Sequence, residues 1–208
     1  MNIIKHNIEN DNYIFSKDLI NDKIIENKII NIIWNYILKS VCDPISIAKP
    51  LFLDNIFKVR CQTLQNIVKP ENLRIPQEIF EKNLMMKINH NLKIIDGLRT
   101  PGEIFNQFGI FIESINSLFK FFMNIGSVEP DELLNTIIYF VIYSNPERII
   151  FKTNFCKFFL SENELIGNLG INIIQIESSL VFINKLEASQ LGISQQEFNN
   201  ICSKVNFS

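Results

Sequence analysis

The chain has 208 residues, 47% of them hydrophobic and 20% charged, with 18 Phe. That is enough apolar material for one large or two small domains with a substantial core, and it excludes a disordered chain. A net charge of −2, with no run of Lys or Arg longer than a pair, excludes a nucleic-acid surface built on a basic face.

In chain order, MNIIKHNIENDNYIF lacks the charged start and apolar core of a secretion signal. From Lys23 to Val41, Ile24, Ile29, Ile32, Ile33, Tyr36 and Ile37 recur at helical spacing. CDPISIAKP, with Pro44 and Pro50, then reads as an inter-helix connection. LFLDNIFKVRCQTLQNIV resumes the helix until near Pro70, and Pro76 opens another that stops around Gly97. Pro101 starts GEIFNQFGIFIESINSLFKFFMNI, and Gly126 is expected to cap its end. SVEPDELLNTIIYFVIYSNPERI predicts a helix with Pro130 at its first position and a stop at Asn145-Pro146. KTNFCKFFLS is a short helix, INIIQIESSLVFINKLEASQ the last long one, and SQQEFNNICSKV a short tail helix. Strands and helices do not alternate, so the expected class is all-α, with roughly eight to ten helices.

The residues alone point to few sites. Cys42, Cys61, Cys156 and Cys202 are too scattered for a zinc site and read as reduced thiols, most of them buried. His6 and His90 form no ligand or triad pattern, and no phosphate-binding loop, serine elbow or kinase signature occurs, so neither metal nor cofactor is expected. The longest apolar stretch, TIIYFVIY, is too short to span a membrane. SLFKFFMNI reads as core packing, because the basic face of an interfacial helix is missing. Asp131 and Glu132 fall in a first helical turn, where carboxylates meet the positive end of the helix dipole.

Five fragments in order carry more. They are Arg99-Thr100-Pro101, Asp131-Glu132-Leu133-Leu134, Asn145-Pro146, Gly167 with Gly170, and Phe182-Ile183-Asn184-Lys185-Leu186. In this order and spacing the chain resembles the vacuolar-protein-sorting-nine domain, a family of guanine-nucleotide exchange factors for Rab-five-like GTPases. The resemblance covers about three quarters of the chain. It implies a helical bundle over residues 1–55 and a layered helical domain over residues 56–200. It also implies a cytoplasmic protein acting peripherally at early endosomes in vesicle trafficking, recruited there by another protein. By the same resemblance Asp131 is the family's aspartate finger, which engages the phosphate-loop lysine of the GTPase. The GTPase would sit on a groove formed by Asp131, Leu134, Asn135, Ile138, Asn168, Ile171 and Ile174.

The sequence departs from the family pattern where Asn135 replaces a proline, Asn168 a glutamate, Ile171 a tyrosine and Ile174 a threonine. In relatives the replaced side chains contact the switch regions, so the resemblance implies that Ile171 and Ile174 put apolar groups where polar contacts would be. Two functions follow: an exchange factor working through Asp131, or a GTPase-binding module that kept the fold and lost exchange.

Overall fold

The computed structural model describes residues 44–80, 82–124, 128–159 and 166–205. The helix expected from Lys23 to Val41, the segment before it, and Gly126 lie outside the described residues. Seven α-helices occur among the described residues, and no strand does. They are α1 (Pro44–Leu64), α2 (Lys82–Lys93), α3 (Pro101–Met123), α4 (Pro130–Ser144), α5 (Ile149–Phe159), α6 (Asn168–Lys185) and α7 (Gln195–Val205). Short 3-10 turns at Pro70–Leu73, Gln77–Ile79, Ile94–Gly97 and Ala188–Leu191 join them. The all-α expectation holds.

One expected break is absent. From Pro44 onward CDPISIAKP does not interrupt the chain, because α1 runs unbroken through Pro50 to Leu64; Cys42 and Asp43 lie outside the described residues. Pro44 stands at the first helical position, where its missing N–H has no partner to lose. Pro50 removes one interior backbone bond, a loss of about 3 kcal/mol. Phe57, Cys61 and Leu64, buried at helical spacing further along, hold the helix together against that loss. Residues 55 and 56 both lie within α1, which belongs to one compact unit with the helices that follow.

Helix α3 begins as its sequence requires. Thr100 caps it, accepting a bond from the Glu103 N–H (3.4 Å), while the Glu103 carboxylate accepts from the Thr100 N–H (3.3 Å) and hydroxyl (2.7 Å). Its end differs from expectation: Asn124, at φ 51°, takes the left-handed capping position. Asn adopts that conformation more readily than other residues with a Cβ. Ile104, Phe108, Phe111, Ile115 and Phe119 form its inner face. SLFKFFMNI is thus split, with Leu118 and Phe119 in the core and Phe121 79% exposed.

Helix α4 is the central element. Residues 136–142 are buried on every side, as in a helix surrounded by others. It packs on α6 most extensively and also on α1, α2 and α3. Its C-terminal end is tied down by polar contacts. The Tyr143 hydroxyl donates to the Val68 carbonyl (2.8 Å), the Ser144 hydroxyl to Asn89 Oδ1 (2.7 Å), and the Gln65 side chain to the Ile142 carbonyl (2.9 Å). Those contacts fix the buried end of α4 and leave its first turn at the surface.

Candidate functional site

The first turn of α4 carries the two acidic side chains. Glu129 stands at the N-cap with extended backbone and no side-chain cap bond, Pro130 follows, and Asp131 and Glu132 come next. The partial positive charge of the helix start favours carboxylates there. Asp131 is exposed, and no hydrogen bond or ion pair engages its carboxylate among the described residues. Beside it lies a pocket of about 480 Å³ lined by Arg74, Asp131, Glu132, Leu134, Asn135 and Phe182.

Each wall of this pocket comes from a different element. Leu134 and Asn135 stand one turn further along α4, both half-buried. Phe182, also half-buried, comes from the C-terminal part of α6. Arg74 follows the 3-10 turn Pro70–Leu73 in the left-handed conformation, φ 53° and ψ 34°, and its N–H donates to the Glu71 carbonyl. The turn is held from outside: the Asn72 side-chain amide donates to the Leu191 carbonyl (2.8 Å), and Asn72 Oδ1 accepts from the Lys69 N–H (2.7 Å).

The structure gathers only part of the expected groove. Asp131, Leu134 and Asn135 share the pocket. Ile138 does not line a surface at all: it shares a helix face with Leu134 but lies one turn deeper, where neighbouring helices surround α4, and it is 0% exposed. Asn168, Ile171 and Ile174 lie in the first two turns of α6, exposed, with Ile171 at 49% and Ile174 at 53%. Eleven residues separate Ile171 from Phe182, about 16 Å along the helix. They are nevertheless on one side of the helix: the offsets from Ile171 to Ile174, Ile174 to Val181 and Ile171 to Phe182 are three, seven and eleven residues, which keeps all four within about 100° of its circumference. An exposed apolar strip on α6 thus leads toward the acidic pocket at the start of α4.

Sequence reasoning missed Arg74 and Val181. Arg74 stands in LRIP without any neighbouring charge pattern, so no local signal marks it. Val181 was detectable as an apolar residue on the same helical face as Ile171 and Ile174.

A larger groove, about 980 Å³ and open, runs between α2 and α3 and is lined by Leu84, Ile88, Phe105, Ile110 and Phe121 among others. It is mostly apolar and lies away from Asp131, so it offers no candidate chemistry. Among the described residues no group of three or more His, Cys, Asp or Glu side chains could hold a metal ion. Cys61 and Cys156 are buried, and burial pushes the Cys61 thiol up to about 12 and the Cys156 thiol higher still. Neither is a poised nucleophile.

The family model for the vacuolar sorting protein 9 (VPS9) domain matches residues 85–188, half of the chain. The chain belongs to the VPS9 domain family. No curated protein matches it. VPS9 domains act in general as guanine-nucleotide exchange factors for Rab GTPases, so a small GTPase is the partner that the family implies. The VPS9 match takes in α3, α4 and α5 whole and α6 entirely, and hence Asp131 and the apolar strip; Arg74 lies outside it. Among the described residues no helix is long and apolar enough to cross a membrane.

Proposed function

We propose that this VPS9 domain promotes GDP release from a Rab-five-like GTPase in endosomal vesicle traffic, with Asp131 as the finger that enters the nucleotide site. The observation that carries this reading is the state of Asp131: an exposed carboxylate in the first turn of a helix, with no partner among the described residues. A carboxylate in that state can form a charge-assisted bond to the phosphate-loop lysine of the GTPase, taking the place of the phosphate. It also repels the nucleotide phosphates. Exchange then amounts to stabilising the nucleotide-free GTPase by differential binding. Ile171, Ile174, Val181 and Phe182 supply apolar contact area worth about 25 cal/mol per Å² buried. Action at early endosomes, with recruitment through another protein, belongs to the same proposal.

A second reading is a GTPase-binding module that no longer catalyses exchange. Asn168, Ile171 and Ile174 favour it, because they are exposed and no packing demand explains their difference from the family pattern. Release of fluorescent GDP from a panel of Rab proteins separates the two. The exchange reading expects acceleration of at least one Rab by the wild-type chain and its loss, by orders of magnitude, in Asp131→Ala. Binding of a nucleotide-free Rab without any acceleration would leave the second reading standing.

A further inference from the structure

The guanidinium of Arg74 is an exposed cation in a pocket whose other charged walls are two carboxylates. No ion pair joins it to Asp131 or Glu132, and no side-chain hydrogen bond uses it among the described residues. Its backbone is strained: φ 53° is a conformation that residues other than Gly, Asn and Asp seldom adopt. The position is imposed by its surroundings, since Asn72 ties the preceding turn to the Leu191 carbonyl, and Leu73 and Ile75 on either side of Arg74 are buried. A Gly would fit this site without strain. An Arg held there against its conformational preference, unpaired and beside the proposed finger, is the kind of outlier that marks a working side chain.

We propose that Arg74 is a specificity-determining residue that grips an acidic side chain of the GTPase next to its nucleotide pocket. This inference rests on the exchange reading of Asp131 and adds a second contact of opposite sign to it. The planar fork of a guanidinium matches a carboxylate with two parallel N–H donors. A nucleotide phosphate is the poorer occupant. It would be repelled by Asp131 and Glu132, and a cation holding it would oppose the release that Asp131 promotes. Arg74 thus orients the GTPase as it docks, while Asp131 acts on the nucleotide. Arg74 lies outside the span matched by the VPS9 family, so the contact would be one that the family pattern itself does not supply.

The test uses the full chain and the Rab whose fluorescent-GDP release it accelerates most. Arg74→Gly is expected to melt no lower than wild type, since it relieves the backbone. Its KM for the GDP-bound Rab should rise about tenfold or more while kcat stays within about twofold, as for a lost charge-assisted contact made on docking. Arg74→Lys should recover part of the loss, and Arg74→Glu should exceed it. Raising salt should weaken wild type more than Arg74→Gly. An unchanged KM in Arg74→Gly, or a fall in kcat alone, would overturn the assignment. Asp131→Ala, run in parallel, separates the two claims. If Asp131→Ala abolishes exchange and Arg74→Gly leaves it intact, only the Arg74 contact fails. If Asp131→Ala exchanges normally, the finger reading fails with it. A panel in which no Rab is accelerated or bound overturns both.

Discussion

Asp131 and Ile138 stand two turns apart on one helix, yet one meets solvent and the other is sealed in the core. Exposure decides what a substitution at each can report. Asp131→Ala removes a helix-start charge with no partner among the described residues, so stability should change by no more than about 1 kcal/mol. An activity loss in that variant is then functional and not a folding defect; thermal melts beside the exchange assay check this. Ile138→Ala, in contrast, should cost about 2–5 kcal/mol through the cavity it leaves, and any activity loss there would say nothing about contact with a partner. Asn168 and Ile171 are exposed, so Asn168→Glu together with Ile171→Tyr should fold normally, with the new carboxylate also favoured by the start of α6. We expect faster exchange from this pair, each restored hydrogen bond contributing about 0.5–1.5 kcal/mol. A folded double mutant with unchanged release rates would mean that this surface of α6 no longer needs those contacts. The identity of the acidic pair was legible in the sequence; that Ile138 faces inward was not. Its burial depends on the helices that surround α4, and apolar residues recur on both of its faces.

At the scale of elements, helix ends are stabilised in two ways. Thr100 and Glu103 close the start of α3 with bonds inside four consecutive residues, so that start was readable from TPGE alone. The start of α5 is closed from elsewhere. Asp54 on α1 accepts the Ile150 N–H (2.8 Å) and the Phe151 N–H (3.0 Å), a cap that no local spacing announces. Losing it leaves two helix-start amides without their acceptor, and Asp54→Ala should cost about 1–3 kcal/mol. Burial holds the Asp54 carboxyl above its ordinary 3.8, outweighing the two amide bonds. The folded protein therefore binds that proton more tightly than the unfolded chain. Its contribution is largest below 3.8 and declines as pH rises through the raised folded value. Urea titrations should accordingly show a larger loss for Asp54→Ala at acid pH than at neutral pH. An equal or reversed difference would contradict the sign. The α6 end is clasped in the same cross-chain manner: the Arg60 guanidinium donates to the Ile183 (3.3 Å) and Leu186 carbonyls and lies over the Phe198 ring of α7.

For the whole molecule, the two buried thiols report cooperative opening. Cys61 sits in α1 and Cys156 in α5, both at 0% exposure, and a thiol held near 12 or above stays protonated across the range in which free cysteines react. In a background with Cys42→Ser and Cys202→Ser, a thiol reagent at mildly alkaline pH should label neither until the fold opens, and labelling should follow unfolding by denaturant. Rapid labelling of either residue under native conditions would contradict the packing of α1 or α5. The sequence by itself determined the all-α class, the starts of α3 and α4, and the place of Asp131 in a first turn. These depend on caps, prolines and periodicity, which act within one or two turns of the chain. Only the tertiary structure decided that α1 continues through Pro50, that Ile138 lies behind the surface, that Asp54 caps α5, and that Arg74 lines the same pocket as Asp131. Each of these joins or orders segments distant in sequence, and the energy that settles them comes from packing and burial between helices, which no local pattern encodes.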